Sequence, residues 1–334
     1  MPDMSAGIIG TGYYLPEKVL TNFDLEQMVQ TSDAWIVERT GIHERRIADD
    51  GEPVSALAFR AAEMALADAG IAGEDLDLII MATLTSDRII PATSCILQDR
   101  LGANHAAAFD LSAACSGFVY ASSIAAQFIE SGIYRYVLVI GAETLSKVID
   151  WKDRNTCILF GDGAGAAVFG AVEQGYGIRA FDLGSDGSGG DVLEIPSSGS
   201  LHPVTPETIE QRLNYVHMDG KAVFRFATKV MGRTVETSLQ KAGMKREELD
   251  FLIPHQANIR IIQSAAKRLD LPMEKVIINI HRYGNMSAAS IPVALAEAAH
   301  AHRFKKGDNV ALAGFGAGLT WASCIMKWAK EENG

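Results

Sequence analysis

Cysteine is scarce in this chain: four in 334 residues, at positions 95, 115, 157 and 324, with no C-x-x-C pair among them. That scarcity excludes a cysteine zinc site and a disulfide framework. Cys95, Cys157 and Cys324 then read as small buried hydrophobes. Positive charge is also short, with 30 Lys and Arg against 41 Asp and Glu, a net charge of −11. So acidic a chain offers nucleic acid no general footing, and no nucleic-acid partner is expected. The stretch MPDMSAGIIGTGYYLPEK lacks the basic-then-apolar layout of a signal peptide. From Leu111 to Ile129 charge is missing altogether. Such a run has about the length of a bilayer span, but Ser112, Ser116, Ser122, Ser123 and Gln127 interrupt it. It reads instead as a helix buried on every side, since a surface helix carries charge every few positions. No membrane contact is expected, and a cytoplasmic location follows.

What the chain does contain is a repeat of itself. AGIAGEDLDLIIMAT, from Ala69, and AGMKREELDFLIPHQ, from Ala242, share Ala-Gly, a short acidic linker, Leu-Asp and an apolar run, 173 residues apart. SAAC at Ser112–Cys115 answers SAAS at Ser287–Ser290, 175 apart, and GDGAG at Gly161–Gly165 answers GFGAG at Gly314–Gly318, 153 apart. The shorter last spacing assigns about twenty extra residues, an inserted loop, to the first half between those two landmarks. The expectation is a duplication of two α/β halves, 1–175 and 176–334. In each, a helix closed by glycine (Gly70, Gly243) leads into a strand. YVLVIGAE and NVALAGFG supply later strands. The uncharged helix has a partner in MSAASIPVALA, Met286–Ala296. Two helices apolar all round have to be covered on both sides, which gives layers in the order α-β-α-β-α. The turn-rich segment 184–207 belongs on the surface.

Three residues carry the chemistry in this reading. Cys115 stands where the first buried helix begins, among small neighbours, and a helix N-terminus favours a thiolate and can hold an oxyanion through free N–H groups. Taken alone it is equally a core cysteine. His255 follows the strand FLI, at the strand end where open α/β sheets place ligands, although a lone histidine there is more often structural. Asn285 precedes the second buried helix, where Asn is also a common N-cap. Duplication would bring the three to one internal site.

Together DLSAACSGF, GDGAGA, PHQANIRI, YGNMSAASIP and GFGAGLTW resemble the β-ketoacyl-acyl-carrier-protein synthase III family of the thiolase fold, over essentially the whole chain. The ordered Cys-His-Asn set separates it from elongating ketoacyl synthases, which use Cys-His-His. The resemblance implies an initiating condensing enzyme of type II fatty acid synthesis, an acyltransferase needing neither metal nor redox cofactor. Cys115 would take an acyl group from acyl-CoA. His255 and Asn285 would hold the enolate left when malonyl-acyl-carrier protein loses carbon dioxide. The Cys115 and Ala317 N–H groups would form the oxyanion hole, Ala317 standing where many members carry glycine. A related enzyme of polyketide or quinolone pathways, condensing onto a different acceptor, is the alternative, and a scaffold with a dead site is the rival of another class.

The resemblance also implies partners. Trp35, Arg39, Thr40 and Arg154 match residues that hold the CoA nucleotide, where an indole and a guanidinium suit opposite faces of a purine. Arg225, Gln256, Ala257, Asn258, Ile259, Arg260, Lys267 and Arg268 match residues that dock the acidic carrier protein. The residues themselves agree: Lys221, Arg225, Lys229 and Arg233 recur every four positions, one stripe of a helix. Such a stripe alone is usually a solvated face. A homodimer is implied as well, with the segment before Pro91 reaching the partner's acyl pocket. There this chain has Ile90 where several acetyl-preferring relatives carry an aromatic, so branched four- or five-carbon starters are expected to serve at least as well as acetyl.

Overall fold

Two sheets with one strand order carry the fold. The first is built from β1 (Ser5–Tyr14), β2 (Leu78–Ala82), β3 (Ala107–Leu111), β4 (Val137–Thr144) and β5 (Asp162–Val172), side by side as β1-β5-β4-β2-β3. The second is built from β6 (Gly177–Ser185), β7 (Phe251–Pro254), β8 (Asn309–Gly316) and β9 (Thr320–Lys327), side by side as β6-β9-β8-β7. Matching β1 to β6, β5 to β9, β4 to β8 and β2 to β7 preserves every neighbour and every strand sense. The fifth strand survives in the second sheet only as an isolated parallel bridge, Leu252 to Val276. The computed structural model describes residues 5–331, so residues 1 and 334, the outer limits of the expected halves, lie outside it.

The helices follow the same duplication. They are α1 (Asp33–Thr40), α2 (Val54–Ala69), α3 (Thr93–Arg100), α4 (Gly117–Glu130), α5 (Gly220–Lys241), α6 (Ile259–Arg268) and α7 (Ser290–His300). One core joins α4 and α7 to residues of both sheets, including Ile80, Phe118, Val139, Ile291, Leu295, Leu312 and Met326. A second lies between α2 and the first sheet, and a third between α5, α6 and the second sheet. The layers are therefore helix, sheet, helix, sheet, helix, the thiolase-fold arrangement, with the charge-poor helices in the middle. Burial of most of α4 and α7 follows from composition, with Gln127, Glu130 and His300 exposed toward the helix ends where a polar group meets water. Gly70 and Gly243 both adopt the left-handed conformation at their helix ends, φ +68 in each case.

The register of the repeat differs from the sequence expectation. The turns preceding the inner helices, Ala114–Ser116 and Ser287–Ala289, are 173 apart, and so are α4 and α7. The SAAC/SAAS match is thus two residues out of step, and the counterpart of Cys115 is Ala288. GFGAG spans the end of β8 and the turn after it, whereas GDGAG opens β5, so that pair is not equivalent. Counterparts by strand order are Gly141 and Gly314. The extra length of the first half lies between β4 and β5, residues 145–161, against 317–319 between β8 and β9. Short glycine-alanine strings recur easily, and strand pairing decides which repeats are structural.

Cys157 and Cys324 are buried, but Cys95 is exposed, because α3 turns Thr93, Ser94 and Leu97 inward instead. The segment 184–207 is mostly exposed, with Ser197 as a buried exception. Among the described residues no helix is long and apolar enough to cross a membrane, and no cluster of metal-ligating side chains occurs.

Candidate active site

Cys115 lies in the tight turn Ala114–Ser116, one residue short of α4, with 7% of its surface exposed. The turn starts from a left-handed alanine, Ala114 at φ +46. Strand β8 lies against it through two glycines. A Cβ at Gly316 would stand 2.6 Å from the Cys115 nitrogen, and one at Gly314 would stand 3.2 Å from the Cys115 carbonyl oxygen. Only glycine lets the strand come this close to the nucleophile's backbone. Ala317 follows at once, and the Thr320 hydroxyl holds that turn to the first, bonding the Ala317 and Ala113 carbonyls (3.1 and 3.2 Å) and Ser116 Oγ (2.7 Å). Among the described residues the Ala317 N–H donates to no backbone or side-chain acceptor.

His255 extends β7 by one residue: its N–H donates to the Ala313 carbonyl (2.7 Å), which puts it level with Gly314. Residues level in a sheet point to the same face, so the imidazole shares the face on which Gly314 meets Cys115. Its ring rests edge-on to Phe315, centroids 5.5 Å apart, and Nδ1 is buried without a hydrogen-bond partner. Burial lowers His255 to about 3, so the ring is neutral near pH 7. Asn285 is held by its backbone, its N–H on the Leu159 carbonyl (2.8 Å) and its carbonyl on the Gly161 N–H (3.0 Å). Its Oδ1 accepts the Ser287 N–H at 2.8 Å, capping the second turn. With Oδ1 so occupied, the amide NH2 is the group left to donate.

Two residues that the sequence reading passed over complete the site. Glu143, near the end of β4, is wholly buried and held by the Thr85 hydroxyl (2.5 Å), the Thr83 hydroxyl (3.2 Å) and the Leu84 N–H (3.2 Å). Burial pushes its carboxyl up to about 7. Ser287, left-handed at φ +44, has a buried hydroxyl without a hydrogen-bond partner of good geometry, yet near enough to favour the charged forms of both Glu143 and Cys115. The Cys115 thiol is pushed up to about 12 by burial first, with Glu143 adding to the rise and Ser287 and its own N–H opposing it. The helix start therefore does not by itself give a thiolate; at rest the group is a thiol. A carboxylate ending the apolar run VLVIGAE was the signal available in the sequence.

The expected binding residues divide. Arg39 and Arg154 both lie over the Trp35 indole, each 4.9 Å from the ring centroid. Thr40 turns inward, its hydroxyl donating to the Ile36 carbonyl (2.7 Å) and accepting the Ile42 N–H (3.0 Å), so it presents nothing to a ligand. Gln256 is buried too; its amide clamps Pro254, Ile277, Asn279 and Ile280, joining β7 to the chain leading to Asn285. Ala257 and Ile259 are partly covered, and Asn258 caps α6 while its Nδ2 donates to the Arg39 carbonyl (2.8 Å). That bond joins the Trp35 cluster to the start of α6. Lys221, Arg225, Lys229 and Arg233 are exposed along α5, as are Arg260 and Lys267 on α6, with Arg260 over the Phe224 ring. Arg268 is not a free cation, since it pairs with Glu236 at 2.7 Å. A cleft of about 620 Å³ beside Lys18, Met28, Lys147 and Trp151 shares no residue with this site.

A family model described as 3-oxoacyl-[acyl-carrier-protein (ACP)] synthase III matches residues 109–187, and the model of its C-terminal part matches 239–328. β-Ketoacyl-[acyl-carrier-protein] synthase III of Desulfitobacterium hafniense (strain Y51) is 57% identical over 328 residues, 98% of this chain and 99% of the relative. The chain belongs to the β-ketoacyl-acyl-carrier-protein synthase III family. Members of this family are condensing acyltransferases of fatty acid synthesis, and so is this protein. The crystal structure of 3-oxoacyl-[acyl-carrier-protein] synthase III from Aquifex aeolicus VF5 superimposes with a TM-score of 0.90 at 48% identity, covering 97% of this chain and 100% of that one. The priming β-ketosynthase from the R1128 polyketide biosynthetic pathway also superimposes with a TM-score of 0.90, at 34% identity and 98% coverage of both chains.

Proposed function

We propose that the enzyme moves an acyl group from acyl-CoA to Cys115 and condenses it with malonyl-acyl-carrier protein, giving 3-oxoacyl-carrier protein, CoA and carbon dioxide. What supports this is that β8 packs on the turn of Cys115, His255 stands level with Gly314 of that strand, and Asn285 caps the turn Ser287–Ala289, which packs against the turn of Cys115. Cys115 sulfur attacks the thioester carbon, and its proton ends on the departing CoA sulfur. His255, neutral and with a free nitrogen, can carry that proton between the two. The Cys115 and Ala317 N–H groups take the oxyanion. When the malonyl group loses carbon dioxide, the enolate oxygen accepts from the neutral His255 ring N–H and from the Asn285 NH2. Its carbon then attacks the acyl-cysteine, forming the C–C bond and breaking the C–S bond. No step calls for a metal or a redox cofactor.

The CoA nucleotide is assigned to Trp35 with Arg39 and Arg154, and the acidic carrier protein to Arg225, Arg260 and Lys267, the exposed cations of α5 and α6. A homodimer accounts for Ile89 and Ile90, which are 88% and 82% exposed and adjacent. A division near residue 175, between β5 and β6, and a cytoplasmic location complete the proposal. The second reading, a polyketide-type primer, rests on the R1128 enzyme's likeness. Offering malonyl-CoA and malonyl-acyl-carrier protein in parallel after loading with acyl-CoA tests the proposal. Acyl mass on Cys115 and turnover only with the carrier-bound malonyl group are expected; no acyl mass on Cys115 would refute it.

A further inference from the structure

Glu143 and Ser287 are not needed by the steps above, yet they fill the site's inner wall. Their placement follows from the duplication. Glu143 is the counterpart of Gly316, and Ser287 that of Ala114, each 173 residues apart. A Cβ at Gly316 would lie 3.1 Å from the Ala114 Cβ. The equivalent contact therefore starts the Glu143 side chain against Ser287. Gly141, two residues earlier on the same face of β4, lies against the Ala288 carbonyl, which fixes the strand to that turn. Ser287 brings a buried, unpartnered hydroxyl to a turn that packs against both β4, which carries Glu143, and the turn that carries Cys115.

We infer that Ser287 and Glu143 form a relay that positions a hydroxyl hydrogen on the Cys115 sulfur, Ser287 directly and Glu143 through Ser287. The inference rests on Cys115 being the nucleophile. A serine has one hydroxyl hydrogen and cannot give it to both neighbours. With Glu143 ionised, the carboxylate draws that hydrogen away and its charge opposes a thiolate. With Glu143 protonated, the carboxyl O–H donates to Ser287 Oγ, and the Ser287 O–H is left for the sulfur. Burial holds the Glu143 carboxyl near 7, where both forms are populated at neutral pH. The titratable groups facing Cys115 are Glu143 from β4 and His255 from the end of β7. Glu143 itself accepts from the Thr83 and Thr85 hydroxyls and the Leu84 N–H, and its charge opposes that of Cys115. Both are positioning residues.

The test needs no substrate. Iodoacetamide alkylation of Cys115 is followed by peptide mass spectrometry from about pH 5.5 to about pH 9.5, a span that brackets the Glu143 carboxyl and over which the rate follows the small thiolate fraction of Cys115. Ser287→Ala should slow alkylation about tenfold below pH 7, one unit of thiol pKa, with the difference shrinking above it as Glu143 ionises. Ser287→Gly, which suits a left-handed position, should do the same. Glu143→Gln keeps the donor to Ser287 and removes the charge, so alkylation should quicken about tenfold above pH 7, and most of that gain should vanish in the double variant. Wild-type profiles in Ser287→Ala and Ser287→Gly proteins of native thermal stability would overturn the relay, whether or not Glu143→Gln folds. Acyl loading from acyl-CoA is scored separately. Shifted alkylation without loading would refute the condensation reading and leave the relay standing.

Discussion

The turns Ala114–Ser116 and Ser287–Ala289 begin from matching left-handed residues, at φ +46 and +44, and each is pressed by a glycine of the other half's strand, Gly314 on Cys115 and Gly141 on Ala288. Side by side, they show one backbone carrying two different contents. Where the first half has Cys115 the second has Ala288. Where the second half has His255 and Asn285, the first has Ala82 and Ser112. A Cβ at Gly117 would stand 3.0 Å from the Ala82 Cβ and 3.8 Å from the Ala288 Cβ. Ala82 and Ala288 thus pack into the core while Ser112 is exposed, and the proposed chemistry draws on both halves. Each role in the proposed reaction thus falls to one of two counterpart positions.

The largest effect should come from moving the nucleophile between the two turns. Cys115→Ala should abolish acyl loading and condensation while leaving some decarboxylation of malonyl-acyl-carrier protein, since both enolate donors remain. Adding Ala288→Cys to that variant should restore nothing, because Ala82 and Ser112 supply neither a base nor a donor of enolate geometry. Acyl mass at position 288 with product formation would break the comparison.

Next come the donors. His255→Ala or Asn285→Ala should each lower decarboxylation about a hundredfold or more, the usual loss for one oxyanion donor. His255 also sets an acid limit. Its pKa is lowered by burial to about 3 in the fold, against about 6.5 in an unfolded chain. Between those values only the unfolded chain takes up the proton. Stability therefore falls as pH drops below about 6.5, by up to about 1.4 kcal/mol per pH unit. Denaturant unfolding of His255→Ala should show a shallower loss between pH 6.5 and 4, roughly one proton less in slope; an unchanged slope would show that the ring is not held neutral.

How much of this was legible in the sequence follows the same division. The layers and the inner helices could be read because burial removes charge from long runs, and the Cys-His-Asn set, on which the proposed reaction rests, stood out beside distinctive glycine motifs. The register of the repeat could not, since SAAC and SAAS differ from the true alignment by two residues and only strand pairing separates them. Thr40, Gln256 and Arg268 were assigned outward roles by resemblance; their partners, the Ile36 carbonyl, the Ile277–Ile280 backbone and Glu236, are set by tertiary packing and not by spacing. Glu143 was in plain sight at the end of an apolar strand, but its burial depends on Thr83 and Thr85 from a neighbouring strand's end.

The contrast between free and paired cations gives a smaller, testable difference. Arg225→Glu or Arg260→Glu should weaken use of malonyl-acyl-carrier protein about tenfold at low salt, spare acyl loading, and lose effect as salt rises, because exposed charges are screened within about 8 Å at physiological ionic strength. Arg268→Glu should instead act through Glu236, which already pairs with Arg268 and Arg246, lowering thermal stability with little change in carrier KM. Equal effects of all three on carrier KM would erase the distinction.

The smallest effect concerns the starter. Ile89 and Ile90 stand almost fully out of this chain, between β2 and α3, and in the proposed dimer Ile90 closes the partner's acyl pocket. A branched aliphatic wall leaves more depth than a flat aromatic one. Each additional methylene that enters adds about 0.8 kcal/mol of apolar burial when it fits, so one or two should offset the tighter fit of the two-carbon group. The expected kcat/KM for isobutyryl- or isovaleryl-CoA is at least that for acetyl-CoA. Ile90→Phe should shift the balance back toward acetyl without changing Cys115 alkylation, which needs no pocket depth. A tenfold preference of the unmodified enzyme for acetyl-CoA, about 1.4 kcal/mol, would mean that neighbouring side chains refill the space and that Ile90 does not set the depth.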